Sequence, residues 1–219
     1  MSKAFIFDLD GTLLDTLQDL ADSVNYALHK NGMPQHSREA IRGFVGNGVR
    51  LLMERAVPGG QQNPLFATAF ADFRQYYMHH SLDNTRPYDG IPELIRQLKA
   101  RGCLLAVVSN KMMAATQELV AHFFPEIPVA IGEHEAEGIR KKPAPDTVYE
   151  ALRQLGLDTS SASSTVVYVG DSDVDIATSR HAGLPCISVL WGFRDRDFLV
   201  GHGATTFVSH PLDLLQYAG

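Results

Sequence analysis

Cysteine is scarce in this chain, with two residues, Cys103 and Cys186, among 219. Both lie in segments that we predict to be buried strands, so we interpret them as small hydrophobic residues of the core. We therefore expect neither a disulfide nor a cysteine-based metal site.

Basic clusters and long apolar runs are also missing. The net charge is −6, and no basic cluster is long enough to indicate a nucleic-acid or membrane-surface partner. The apolar stretch Ala4–Phe7 is far too short for a signal peptide or a membrane span. Repeats and low-complexity segments are absent, and residues 160–164 resemble an ordinary loop. With 45% hydrophobic residues the chain can bury a full core, and we expect a cytoplasmic protein.

Two aspartates follow the strand-like segment Ala4–Phe7 directly. Asp8 and Asp10 lie two positions apart on one face of the strand end, and Gly11 permits a sharp turn after them. Like charges held this close require a divalent cation or a shared proton. An Asp-Gly hairpin turn is the plain alternative, but a helical pattern follows here, and an EF-hand loop would place its glycine later. A carboxylate pair over a metal at a strand end is typical of phosphoryl transfer through an aspartyl-phosphate.

Two further polar segments follow predicted strands or precede predicted helices. The apolar run 103–108 ends in Ser109 and Asn110, whose hydroxyl and backbone N–H groups favour a phosphate site, although a simple helix cap is the alternative. Lys142 stands between other polar residues and two prolines, just before a predicted helix. A fixed ammonium there neutralises an aspartate nucleophile and phosphoryl oxygens, whereas a lone lysine would more often be solvated.

A second carboxylate cluster ends the β-branched run in residues 165–176. Asp171, Asp173 and Asp175 have the spacing of the first EF-hand ligands, but Ile176 stands where that loop needs glycine. Hard oxygen ligands at a strand end favour magnesium.

The chain divides into a helical stretch and a region where strands and helices alternate. In residues 16–84 the pattern predicts helices and no strands. The predicted helices are Leu17–Lys30, Arg38–Phe44, Val49–Ala56 and 65–79. From residue 86 onward it predicts strands at 104–108, 129–131, 166–169, 186–190 and 205–208. This alternation predicts an α/β fold with a parallel sheet and helices on both faces. We expect a core domain of residues 1–15 and 85–219, and a helical cap domain of residues 16–84.

In this order the motifs resemble those of the haloacid dehalogenase (HAD) superfamily, in its phosphatase branch. Asp8-x-Asp10-Gly11-Thr12 is similar to its first motif, Ser109 to its second, Lys142 to its third and Gly170-Asp171-x-x-x-Asp175 to its fourth. The likeness covers nearly the whole chain and is greatest for phosphoglycolate phosphatase-like members, which have similar segments at 45–49 and 107–111.

The resemblance implies a Rossmann-like (HAD-like) sheet core with a small all-helical cap insert. Asp8 would be the nucleophile and Asp10 the general acid/base, with Ser109 and Lys142 completing the catalytic set. Gly11, Thr12 and Asn110 would contact the substrate. Mg²⁺ would be held by Asp8, the Asp10 backbone carbonyl and Asp171, with Asp175 in support.

We therefore expect a magnesium-dependent phosphatase of a small phosphorylated metabolite, acting as a monomer or homodimer, with phosphoglycolate as the substrate by resemblance. A phosphosugar mutase of the β-phosphoglucomutase kind and a pyrophosphatase are alternatives on the same scaffold. A receiver-like signalling domain is another, although such domains have no helical insert. Arg50 in the insert is a candidate partner for a substrate carboxylate, with a solvated helix charge as the alternative. Residues 191–194 would line the pocket rim or pack in the core.

Overall fold

The computed structural model describes residues 3–158 and 165–219, so the predicted loop at 160–164 lies outside the described residues. Two compact units are formed. We call Met1–Leu14 with Pro87–Gly219 the sheet unit, and Asp15–Arg86 the helical unit.

A parallel sheet of six described strands forms the centre of the sheet unit, in the order β5-β4-β1-β6-β7-β8. The strands are β1 Ala4–Phe7, β4 Leu104–Met112, β5 Val129–Glu133, β6 Val166–Gly170, β7 Cys186–Val189 and β8 Phe207–Val208. Ala4 lies opposite Leu104 on one side and Val166 on the other, so the first strand of the chain is central. Two short strands, β2 Leu14–Asp15 and β3 Arg86–Pro87, form a separate sheet.

Alternate side chains of the sheet enter two apolar clusters, as expected when helices cover both faces. Phe5 and Phe7 belong to one cluster, with side chains from the helices Ile91–Ala100 and Met113–Phe123. Ala4 and Ile6 belong to the other, with side chains from the helix Asp146–Gln154. The helices are α5 Ile91–Ala100, α6 Met113–Phe123, α7 Asp146–Gln154, α8 Asp173–His181 and α9 Arg196–Gly201. The predicted α/β fold is confirmed.

Strand β4 is four residues longer than predicted. It continues to Met112, which lies opposite Glu133 after a register shift beyond Val108. Ser109 and Asn110 therefore lie in the extended strand end and not in a strand-to-helix turn, and the residue that precedes α6 is Met112. An irregularity of this kind turns side chains at the strand end in new directions, which a simple apolar run does not reveal.

The cysteines also differ slightly from the prediction. Cys103 is buried just before β4, and Cys186 lies in β7 but is only partly buried. The exposed part of Cys186 is not the thiol, which is surrounded by protein, and this desolvation raises the pKa of the thiol to about 12.

The helical unit contains α1 Leu17–Lys30, α2 Arg38–Phe44, α3 Val49–Ala56 and α4 Phe66–His80. The first three helices have the predicted bounds, and α4 begins one residue later than predicted. Buried Asp19, in the first turn of α1, accepts hydrogen bonds from the backbone N–H groups of Asn84 and Thr85. The two ends of this unit are thereby joined. Within the described residues, no helix is both long and apolar enough to cross a membrane.

Candidate active site

The loop after β1 holds Asp8 at the carboxyl edge of the sheet. Its backbone N–H donates to the Val169 carbonyl at 2.9 Å, which extends the pairing of β1 with β6 by one residue. Gly11 has φ +89°, and a Cβ there would lie 2.4 Å from Oδ2 of Asp171. Glycine is therefore required both for the turn and for the close approach of Asp171.

Lys142 reaches the nucleophile candidate from a distant part of the chain. Its buried Nζ donates to Asp8 Oδ1 at 2.6 Å and to Asp175 Oδ1 at 2.8 Å. The Asn110 amide holds the lysine backbone on both sides, accepting from Lys142 N at 2.6 Å and donating to Lys142 O at 3.0 Å. Burial alone would lower the Lys142 pKa, but the carboxylates of Asp175 and Asp8 outweigh it and raise that pKa, so the lysine is charged.

Asp175 is held by donors on both carboxylate oxygens. Oδ2 accepts from the backbone N–H groups of Asp171 and Ser172 and from Ser172 Oγ at 2.6 Å, while Oδ1 accepts from Lys142. Ser172 and Asp175 form a capping box at the start of α8. A Cβ on Gly170 would lie 2.3 Å from Cγ of Asp175, so the last residue of β6 must be glycine.

Asp171 is fixed by a loop that contributes a backbone group. Its Oδ2 accepts from the Phe193 N–H at 2.6 Å. A Cβ on Gly192 would lie 2.3 Å from Cβ of Asp171 and 2.5 Å from the Gly11 carbonyl, so this loop passes close to both motifs. The indole N–H of Trp191 donates to the Thr12 carbonyl at 3.0 Å. Sequence reasoning did not identify the Phe193 N–H as a partner of Asp171, because a backbone donor has no side-chain signature. Gly192 was the only sequence signal that the chain passes close to another group here.

Asp8, Asp171 and Asp175 form a buried acidic group in which each residue offers one oxygen within 4.8 Å of the others. Burial, then the charge of Asp175, raises the pKa of Asp8 well above its usual range, although Lys142 opposes this. Burial and Asp175 likewise raise the pKa of Asp171 to about 7. These carboxylates are short of positive charge, which a bound divalent cation supplies, so the donor set fits a metal with hard oxygen ligands.

Asp10 lies outside that acidic group and has another cation beside it. Lys111 Nζ is 3.3 Å from Asp10 Oδ1, although this oxygen has no hydrogen-bond partner within the described residues. The Thr12 side chain is buried, and its Oγ1 likewise has no partner there. Ser109 Oγ accepts from the Lys111 N–H at 3.1 Å. The partnerless oxygens of Asp10 and Thr12 are free to accept a hydrogen bond from a ligand. Sequence reasoning missed Lys111.

Tyr168 is a second residue that sequence reasoning missed, because it stands within the apolar run of β6. Its hydroxyl donates to Asp175 Oδ1 at 2.8 Å and accepts from Lys142 Nζ at 3.3 Å. Burial, together with the charges of Asp175 and Asp8, raises its pKa well above the usual value, so the phenol is neutral.

Arg50 belongs to the helical unit, where it is exposed on α3. Its guanidinium lies over the rings of Phe66 and Phe70, 5.5 and 5.8 Å from their centroids. The other predicted site residues all belong to the sheet unit.

The chain is similar to known proteins over most of its length. Residues 5–189 match the family model of haloacid dehalogenase-like hydrolases. The chain is 36% identical to a phosphoglycolate phosphatase of Mesorhizobium japonicum, over 90% of this chain and 86% of that protein. It is 31% identical to an N-acetylmuramic acid 6-phosphate phosphatase of Pseudomonas aeruginosa, over 98% and 93% of the two chains.

A solved structure gives the same result. The crystal structure of a presumed phosphoglycolate phosphatase from Lactobacillus delbrueckii subsp. bulgaricus superposes with a TM-score of 0.92, at 36% identity, covering 100% of this chain and 99% of that one. The family resemblance predicted from the four motifs is confirmed: this chain belongs to the haloacid dehalogenase-like hydrolases.

Proposed function

We propose that this protein is a magnesium-dependent phosphatase that hydrolyses a small phosphomonoester through an aspartyl-phosphate on Asp8. The observation that carries the proposal is the contact of Lys142 Nζ with Asp8 Oδ1, 2.6 Å, beside the buried carboxylate of Asp171. A cation on one side and a metal-ligand set on the other are what an anionic nucleophile needs to approach an anionic phosphate.

The first half of the reaction transfers the phosphoryl group to the enzyme. A carboxylate oxygen of Asp8 attacks phosphorus, and the bond from phosphorus to the ester oxygen breaks. Asp10 gives its proton to the departing alkoxide, while Lys142 balances the negative charge around the phosphoryl oxygens. Ser109 and Thr12 supply hydroxyls, and Asn110 a backbone N–H, to the bound phosphate. The Gly11 N–H instead donates to the Leu14 carbonyl at 2.9 Å, so Gly11 contributes through the turn that it permits.

The second half restores the enzyme. Asp10, now a carboxylate, takes a proton from a water molecule as the water oxygen attacks phosphorus. The bond between phosphorus and Asp8 breaks, which releases inorganic phosphate and regenerates the Asp8 carboxylate.

The resident metal would be held by Asp8, Asp171 and the Asp10 carbonyl. Asp175 supports this set indirectly, because five protein donors already occupy its two oxygens: Lys142, Tyr168, Ser172 twice and the Asp171 N–H. Bound there, Mg²⁺ supplies charge neutralisation and orientation of the phosphoryl oxygens.

Asp8→Asn tests the proposal with p-nitrophenyl phosphate as substrate. Turnover should be lost, because the amide cannot act as nucleophile, and mass spectrometry of acid-quenched wild-type enzyme should find a phosphate on the peptide that contains Asp8. Asp195→Asn is the matched control, because it makes the same change at the cap of α9, where asparagine serves equally well. Turnover by Asp8→Asn at the wild-type rate would contradict the proposal.

The relatives support two substrate classes. Phosphoglycolate is the first, and a 6-phosphosugar acid is the second, because the chain aligns over 98% of its length with an N-acetylmuramic acid 6-phosphate phosphatase. Both carry a carboxylate and a phosphate ester. Comparing kcat/KM for the two esters decides between them, and conversion of a sugar phosphate to its isomer without phosphate release would instead indicate a mutase.

We also propose that the helical unit is a cap domain, because it is inserted in the chain directly after the Asp8 motif. Arg50 is then a candidate for binding the substrate carboxylate through a charged hydrogen bond. Arg50→Ala should raise KM for phosphoglycolate by about ten- to a hundred-fold more than for ethyl phosphate, as expected for the loss of one charged hydrogen bond. Arg74→Ala is the control, because Arg74 also lies over the Phe70 ring. Equal losses on both substrates would exclude Arg50 from carboxylate recognition. We further propose that the protein is cytoplasmic and acts as a monomer or homodimer.

A further inference from the structure

The Tyr168 hydroxyl is a polar group placed inside an apolar core. Its ring is fully buried in the cluster that contains Ile6, Ala106 and Val108. A phenylalanine ring would fill the same space, so packing alone does not require the hydroxyl. A buried phenol is retained where its oxygen has hydrogen-bond partners, and here both partners are charged groups of the active site.

The ammonium group of Lys142 has three N–H bonds and finds three acceptors. They are Asp8 Oδ1 at 2.6 Å, Asp175 Oδ1 at 2.8 Å and the Tyr168 oxygen at 3.3 Å. Three acceptors for three donors fix the rotation of the ammonium as well as its position. Tyr168 also donates to Asp175 Oδ1 at 2.8 Å, so the same hydroxyl holds the second acceptor in place.

We propose that Tyr168 is a positioning residue whose hydroxyl fixes the orientation of the Lys142 ammonium against the nucleophile Asp8. This inference rests on the proposed function, in which Lys142 balances charge during phosphoryl transfer. Without the hydroxyl, the third N–H bond of the buried Lys142 ammonium loses its acceptor. The ammonium then turns between Asp8 and Asp175, and the time that it spends aligned for transfer falls.

Tyr168→Phe tests the inference with the ring left in place. The rate constant kcat with p-nitrophenyl phosphate should fall at least about tenfold, the effect of losing one hydrogen bond to a charged group. Tyr149→Phe is the matched control, because it makes the same change in the same unit, where the hydroxyl is 3.3 Å from the His181 carbonyl. Its kcat should stay within about twofold of wild type.

A spectroscopic readout separates positioning from a general loss of structure. The chain has six lysines, so labelling lysine with ¹⁵N gives a small set of side-chain signals, and Lys142→Met identifies the one that belongs to Lys142. In Tyr168→Phe this signal should shift and its protons should exchange faster with water. Tyr149→Phe should leave it unchanged, and the melting temperatures of both variants show that they are folded.

Four outcomes of these measurements are distinguished. A tenfold lower kcat together with a displaced Lys142 signal supports the inference. A kcat within twofold of wild type, or a lower kcat with an unmoved Lys142 signal, overturns it. Absence of phosphatase activity in the wild-type protein would overturn the proposed function instead, and is recognised before any variant is compared.

Discussion

Asp8 and Asp10 are the same residue type two positions apart, but the sheet unit gives them different surroundings. Asp8 accepts a short hydrogen bond from Lys142, whereas Asp10 Oδ1 lies 3.3 Å from Lys111 without a hydrogen bond. A carboxylate tied to a buried ammonium is suited to attack as an anion. One with an uncommitted oxygen is suited to giving up and taking a proton.

Asp10→Asn should separate these two roles. In the proposed mechanism the variant keeps the nucleophile Asp8 but loses the proton relay, and general acid–base catalysis contributes about 100- to 10,000-fold. With p-nitrophenyl phosphate, whose leaving group needs no proton, the variant should show a burst of nitrophenolate and then slow turnover. Stopped-flow absorbance measures the burst, and Asp8→Asn should show none. Equal steady-state rates for the two variants would mean that the roles are wrongly assigned.

Gly192 limits how far Asp171 can move. In Gly192→Ala the new Cβ would lie 2.3 Å from Cβ of Asp171, so the carboxylate or the loop must shift. A shift of about 1 Å in such a site costs on the order of 100-fold in rate, which kcat/KM for p-nitrophenyl phosphate would measure.

Gly201→Ala is the control for that substitution, because nothing lies within 4 Å of a Cβ at this position in α9. Its kcat/KM should equal that of wild type. An unchanged kcat/KM in Gly192→Ala would show that the loop yields without displacing Asp171.

At the scale of elements, one carboxylate joins the two ends of the helical unit. Asp19, on α1, accepts from the backbone N–H groups of Asn84 and Thr85 and from the Asn84 amide at 3.0 Å. Asp19→Ala should leave these donors without a partner and lower the free energy of unfolding by about 2–4 kcal/mol.

Urea denaturation followed by circular dichroism measures this loss. The control is Asp22→Ala on the same helix, whose exposed carboxylate accepts from Gln18, and which should change stability by less than about 0.5 kcal/mol. Equal stability of the two variants would mean that the buried contact contributes no more than a surface one.

For the whole molecule, Mg²⁺ should act as a ligand of the folded state. Mg²⁺ at about 100 times its Kd should raise the free energy of unfolding by about 2.7 kcal/mol, which corresponds to about 5–10 °C in Tm for a chain of this size. Asp171→Asn should abolish this shift.

Phosphatase activity should be lost after chelation and restored better by Mg²⁺ than by Ca²⁺, because the larger ion accepts additional ligands. Full phosphate release after exhaustive chelation would exclude a metal-dependent reaction.

The fold class could be predicted because its signals are local. Short apolar, β-branched runs such as Ala4–Phe7 and helical periodicity such as Leu17–Lys30 reflect the period of each element, which neighbouring residues already display. The end of β4 could not be predicted, since the pairing of Met112 with Glu133 across a register shift depends on a strand that comes later in the chain.

The sequence by itself determined which residue types stand at the strand ends and in what order, because the chemistry of a carboxylate, a lysine or a glycine is written in its side chain. It did not determine which residues contact each other. The Asn110 side chain accepts a hydrogen bond from the backbone of Lys142, and the backbone N–H of Phe193 donates to Asp171.

Tyr168 shows the same limit most clearly, since in sequence it is one more apolar residue of a strand. Only the tertiary structure brings its hydroxyl to Lys142 and Asp175. Contacts between distant segments depend on sheet order and helix packing, which bring groups together irrespective of their separation along the chain. Backbone donors cannot be identified from residue type, because every residue except proline carries the same N–H group.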